Sequence, residues 1–233
     1  MANEKQVICD SSSLVCLSNT ALMSTIDFLA RNVGINFYIP YEVYSEAIER
    51  PDQIKAYAWS SIKIKQMVTK GSITVLRDYD QKVRLLADEI ESLSNTSFFA
   101  GTSPIKILHR GEIYLLALAK YLGITNIVID ERTTRIFFEE PELLKTHLEA
   151  EFRTRINLSK KNIEKLHDMF NGFSYFRSTE LLYIAYKKGY FRPFKDDMQK
   201  AFQYALYALK YTGCSISFKE IDVIVASCQS NSF

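Results

Sequence analysis

The chain has 233 residues, of which 47% are hydrophobic and 24% charged, with Lys+Arg 29 against Asp+Glu 27. That length fits one large domain, or a domain with an appendage, whose core needs no staple. A formal charge of +2 excludes a histone-like surface but not a local basic patch, and 13% aromatic residues argue against disorder.

Val7, Ile8 and Cys9 form a short apolar run that ends at Asp10. Ser11, Ser12 and Ser13 then supply capping residues for an apolar-periodic helix from Leu14 to about Leu29. Phe37-Tyr38-Ile39 reads as a second strand. Pro40 stops it and suits the first turn of a helix that runs to about Glu49, where Pro51 ends it. Residues 54–69 read as a helix, 73–76 as a strand and 80–93 as a helix, and 94–104 is the clearest loop. Arg110-Gly111-Glu112 opens a helix that continues to Leu122 and stops at Gly123. An apolar strand over 126–129 again ends in an acid, Asp130, and a helix starts at Arg132 and reaches Phe138. Strands alternating with helices predict an α/β fold with a mainly parallel sheet. From Glu139 onward the pattern is all helical, with candidates at 141–153, 159–170, 178–188, 195–211 and 217–227.

Cys9, Cys16, Cys214 and Cys228 include no C-x-x-C pair, so they suggest no zinc site and read as buried reduced thiols. The polar start MANEKQ, followed by an apolar run broken at Asp10, resembles neither a signal peptide nor a membrane span. The expectation is a soluble, cytoplasmic protein with no membrane partner.

Two strands that end in aspartate matter because ligands of open parallel sheets bind beyond the carboxyl ends of the strands. Glu112, in the first turn of its helix, and Glu46, on the helix after Pro40, could join Asp10 and Asp130 there. Two carboxylates about 5 Å apart repel by roughly 3 kcal/mol at an effective dielectric of 20. A cluster of them would protonate or splay unless a cation lay between, and a hard divalent ion prefers such oxygen ligands. Taken singly, each acid has a plainer role. Asp10 and Asp130 suit caps or turns, Glu112 favours a helix N-terminus, and Glu46 shares a solvated helical side with Glu42 and Glu49.

The joint pattern resembles the PIN-domain ribonucleases, the fold of VapC-type toxins and related archaeal and bacterial nucleases. The matching pieces are Val7-Ile8-Cys9-Asp10-Ser11-Ser12, the stretch from Ile39 to Glu46, His109-Arg110-Gly111-Glu112, and Ile127-Val128-Ile129-Asp130-Glu131-Arg132, in the family's order. The resemblance implies a three-layer α/β fold around a mainly parallel sheet, with helical insertions and a C-terminal extension. It places the core at 1–138 with an insertion at about 52–104. Residues 139–233 are then a helical extension, of which about 178–190 would complete the core.

The resemblance implies that Asp10, Glu46, Glu112 and Asp130 form an acidic quartet. Asp10, Glu112 and Asp130 would bind Mg²⁺ or Mn²⁺, and Glu46 would complete the site or orient the attacking water. Ser12, Glu131 and Arg135 would be neighbours of that site, with Glu131 standing where the family commonly has a second aspartate. The activity implied is endonucleolytic cleavage of single-stranded RNA, and the implied partners are an antitoxin protein and a second copy in a homodimer. Two rivals stay open: a catalytically inactive PIN-like module that binds RNA or protein, and a PIN-type nuclease acting on DNA. For RNA contact, Lys55, Lys63, Lys65 and Lys70 beside Tyr57 and Trp59, a basic run over 153–165, and Tyr183, Tyr186, Lys187, Lys188 and Tyr190 mix charge with rings. Solvated lysines and inward-packed aromatics are the simpler account of all three. No phosphate-binding loop, dinucleotide fingerprint or nucleophile elbow is present.

Overall fold

The computed structural model describes residues 5–55 and 57–229. Strand β1 (Lys5–Cys9) leads through Asp10 into helix α1 (Ser11–Asn19), and a bend of 108° leads into α2 (Ser24–Phe28), which widens into a π-helical turn at Leu29–Val33. One continuous helix was expected over 14–29. Instead, the Thr20 hydroxyl bonds back to the Cys16 carbonyl at 2.9 Å, and Ala21 takes a left-handed φ of 61°. The first helix therefore closes after Asn19.

Strand β2 (Ile35–Pro40) runs into α3 (Tyr41–Tyr44), a second π-helical turn at Ser45–Glu49, and α4 (Arg50–Asp52). Pro51, expected as a stop, lies inside this run. The shifted hydrogen-bond register of the π turn precedes a residue that has no N–H to donate. Then come α5 (Ala58–Thr69), β3 (Ile73–Leu76) and α6 (Gln81–Ser94). The expected loop over 94–104 carries a hairpin, β4 (Phe98–Ala100) and β5 (Ser103–Pro104). Next are α7 (Arg110–Leu122), closed by Gly123 at φ 69°, β6 (Asn126–Val128), α8 (Arg132–Glu139) and α9 (Pro141–Phe152). Two strands interrupt the region expected to be all helical: β7 (Ile156–Leu158) before α10 (Lys160–Met169), and β8 (Ser174–Phe176) before α11 (Ser178–Lys187). A 3₁₀ turn at Arg192–Asp197, α12 (Met198–Tyr211) and α13 (Phe218–Gln229) follow.

The main sheet is five-stranded and parallel in the order β3-β2-β1-β6-β8. β4, β5 and β7 form a separate three-stranded antiparallel sheet. Period-two alternation divides the main sheet's side chains between two cores. Val7, Cys9, Phe37, Ile39 and Val128 face one, with α1, α11 and α12. Ile8, Ile127 and Ile129 face the other, with α6, α7 and α10. The fold is thus a three-layer α/β arrangement with helices on both faces of the sheet. Residues after 139 contribute to both outer layers, and β8 extends the sheet itself.

Arg177, buried just after β8, ties the C-terminal helix to this frame. Its guanidinium donates to Glu180 at 2.6 Å, to Glu220 at 2.8 Å and to the Ser215 carbonyl at 2.8 Å. No single helix among the described residues is long and apolar enough to cross a membrane. The bent pair α1–α2 instead buries Leu14, Leu17, Ile26 and Leu29 in the core. Cys9, Cys16 and Cys214 are buried thiols, as expected.

Candidate active site

The chain runs outward from β1 to β2 and β3, then returns to the other side of β1 for β6 and β8. The carboxyl ends of β1 and β6 therefore flank a switch point in strand order, where a crevice forms. Asp10 follows β1 there, and its backbone N–H donates to the Val128 carbonyl at 2.9 Å. One Asp10 oxygen, Oδ2, accepts from the Ser12 N–H at 3.0 Å and caps α1. The other, Oδ1, is buried with no hydrogen-bond partner among the described residues. Burial pushes the Asp10 carboxyl up, and the charge of Glu131 adds to the shift.

Glu112 is brought to Asp10 by the first turn of α7. Its Oε2 accepts from the His109 N–H at 2.8 Å, which fixes the carboxyl at the helix mouth. Burial pushes it up to about 7, with repulsion from Asp10 and then Glu46 adding to the rise. Glu46 sits in the π turn, an irregularity that re-aims a side chain from a helix. It lies against Gly111, where an added Cβ would stand 2.6 Å from its Oε2. Ser11 Oγ donates to the same oxygen at 3.4 Å, and burial followed by Asp10 repulsion raises this carboxyl too. Asp10, Glu46 and Glu112 are thus one electrostatic group.

Asp130 comes to the same strand edge but finds different partners. β1 and β6 pair with Cys9 opposite Val128, so Asp130 stands one residue farther along the chain than Asp10, just beyond the end of β6. Asp130 is 2% exposed; its Oδ1 accepts from the Ser178 N–H and its Oδ2 from the Ser178 hydroxyl, each at 2.6 Å. Glu131, one residue on, is near enough for its charge to act on Asp10, and its carboxylate caps α8 through Thr133 N–H at 2.8 Å and Thr134 N–H at 2.7 Å. Ser12 joins the two loops: its Oγ accepts from the Asp130 N–H at 3.1 Å and the Glu131 N–H at 3.2 Å. Arg135 is not part of the group. It faces Glu139 at 3.7 Å and lines a cleft with Lys210, Cys214 and Glu220.

Two clefts open onto the acids. One of about 330 Å³ is lined by Ser11, Ser12, Cys16, Glu46, Asp130 and Glu131. Another of about 270 Å³ is lined by His109, Glu112, Glu131, Thr133 and Phe152 among others. Among the described residues, no three His, Cys, Asp or Glu side chains converge tightly enough to hold a metal ion as they stand. The donor chemistry nevertheless fits a hard divalent cation. A buried carboxylate oxygen without a partner among the described residues stands with two further carboxyls whose proton affinity is raised first by burial and then by the charge of Asp10.

Sequence reading missed Ser178, which holds Asp130, because the three-residue strand before it gives no periodic signal. It also gave Gly111 no role, although the glycine makes room for Glu46. Of the ring-and-lysine stretches, Tyr183 and Tyr186 pack on Phe202, whereas Trp59 is 69% exposed with Lys63 over its ring at 5.5 Å. Comparison of the chain with family models, with curated proteins and with solved structures finds no match.

Proposed function

We propose that the chain is a metal-dependent endoribonuclease that cleaves single-stranded RNA, as its resemblance to PIN-domain nucleases implies. The observation that carries this reading is the buried, unpartnered Oδ1 of Asp10 among carboxyls driven up by burial and mutual repulsion. A structural acid would have its lone pairs satisfied; a deficit of this kind at the sheet's switch point matches a site built for a positive charge.

Asp10 and Glu112 are the ligands we assign to Mg²⁺ or Mn²⁺, with Glu46 beside them. Bound there, the ion would activate water and neutralise charge on the phosphodiester. Asp10 is held in place by its cap to Ser12, and Glu112 by its bond to the His109 N–H. Glu46, its carboxyl raised by burial and by the charge of Asp10 and steadied by Ser11, is the acid we assign to orient the attacking water and take its proton. Asp130 and Ser178 act as a buttress: they fix the β6 exit so that Ser12 can bridge it to β1. A covalent enzyme intermediate is not required.

The test is cleavage of a labelled single-stranded RNA with Mn²⁺. Asp10→Asn and Glu112→Gln should each lower the rate by at least ~100-fold, the scale of losing a group that meets the reacting centre. Equal rates for the parent and both variants would remove the assignment. A binding-only module draws on Glu131 and Asp130 being used as cap and buttress. It predicts RNA binding with no metal dependence and no cleavage by the parent.

A further inference from the structure

We propose that Arg77 and Arg110, each laid on tyrosine rings beside the acid cluster, form a phosphate-binding rim that guides a single strand of nucleic acid to the site. The proposal takes its occupant from the nuclease reading above; the rim itself is read from geometry. Arg77 follows the last residue of β3, so it stands at the same carboxyl edge of the sheet as Asp10. Its guanidinium lies 4.7 Å from the centre of the Tyr44 ring and 5.1 Å from that of Tyr41, and the two rings stack at 6.2 Å and 20°. Among the described residues, no carboxylate stands within 4.0 Å of it. An arginine flattened on rings loses little further freedom on binding and keeps its edge N–H groups for an anion.

Arg110 repeats the arrangement from the other side. Its side chain is 73% exposed, its guanidinium lies 5.4 Å from the Tyr114 ring centre, and its ion pair with Glu42 is long at 3.8 Å. Glu42 in turn accepts the Tyr79 hydroxyl at 2.6 Å, and that oxygen accepts the Tyr41 N–H at 2.6 Å. The two arginines therefore belong to one connected patch. It borders the acids directly, since Tyr44 lies two residues before Glu46 and Arg110 precedes the glycine against which Glu46 packs.

The position meets an electrostatic need. A cluster of carboxylates repels a polyanion, and a chain of net charge +2 has no general attraction to offset that. Planar guanidinium forks at the mouth of the cluster supply local attraction with bidentate phosphate geometry. Tyr41, still 37% exposed, adds a ring edge at which an unstacked base can rest, which a double helix cannot offer. An acidic peptide would use the same charges but not the rings.

The experiment measures binding of a fluorescein-labelled oligouridylate by anisotropy across a KCl series with Mg²⁺, in the Asp10→Asn background so that the strand is not cut. Arg77→Ala and Arg110→Ala should each weaken binding about 5- to 10-fold and reduce the salt slope by about 0.7 per lost phosphate contact. Lys5→Ala, exposed at the start of β1 and so at the opposite edge of the sheet from Asp10, removes the same charge and should change neither. Thermal unfolding confirms that the variants are folded. In the cutting background, both arginine variants should raise KM far more than they lower kcat. Unchanged affinity and slope in the arginine double variant would overturn the proposal. So would an equal loss in Lys5→Ala, or polyglutamate binding that depends on Arg77 when RNA binding does not. If the parent fails to cut while RNA binding still depends on both arginines, the nuclease reading falls and the rim stands. Normal cleavage with KM untouched by both substitutions sinks the rim alone.

Discussion

Asp10 and Asp130 occupy matching ends of adjacent strands, yet their environments predict opposite responses to substitution. Asp10 has an unsatisfied buried oxygen and raised proton affinity, so its charge costs stability when no cation is present. Asp10→Asn keeps an oxygen to accept from the Ser12 N–H and removes the repulsion of Glu46 and Glu112. It should stabilise the metal-free protein by roughly 0.5–2 kcal/mol, the usual gain when a strained functional group is neutralised. Asp130→Ala strands the Ser178 N–H and hydroxyl in the interior and should cost roughly 2–6 kcal/mol, at about 1–3 for each orphaned group. Thermal denaturation in EDTA compares the two. An aspartate after an apolar strand was legible at both positions. Which one would be satisfied was not, because that depends on Ser178, 48 residues away in sequence.

At the scale of elements, the site depends on two local irregularities. The π turn carries Glu46 out of regular helical phase, and Gly111 lets the first turn of α7 approach it. Gly111→Ala places a methyl group where the Glu46 carboxyl now lies, while improving helix propensity by about 1 kcal/mol. The expected result is an unchanged or higher melting temperature with RNA cleavage reduced at least ~10-fold, because the flexible carboxylate gives way and leaves its position. A variant that unfolds early, or one that cuts at the parental rate, would contradict this account of the glycine. The Gly-Glu helix start was plain in the sequence, since capping and apolar spacing are local. The π turn was not. It joins α3, which packs against α7, to α4, which packs against α5, and no composition marks such a join.

For the molecule as a whole, the raised carboxyls couple folding to pH and to metal. A carboxyl whose folded value is about 7 binds more protons in the folded than in the unfolded state between about 4.5 and 7. Stability of the metal-free protein therefore falls as pH rises through that window. A cation that takes up the charge cancels this loss, and its binding displaces protons. Mn²⁺ should raise the melting temperature more at pH 8 than at pH 5.5, measured by calorimetry at equal metal activity. An equal or reversed shift would mean that the acids hold no ion.

The α/β class followed from sequence because short apolar runs, capping residues and helical periodicity are properties of neighbouring residues. The same local signals gave the acids at Asp10, Glu46, Glu112 and Asp130, each beside a turn. Strands β7 and β8 escaped because three residues cannot display a period, and their partners lie far along the chain. Register was likewise invisible. The pairing of Cys9 with Val128 sets Asp130 one residue farther along than Asp10, where it meets Ser178, while the charge of Glu131 reaches Asp10. Sequence thus determined which acids reach the sheet's edge, since strand ends and helix starts are set locally. Tertiary structure alone decided which of them is satisfied, because Asp130 meets Ser178 only through a contact 48 residues apart, whereas Asp10 keeps a buried oxygen without a partner among the described residues.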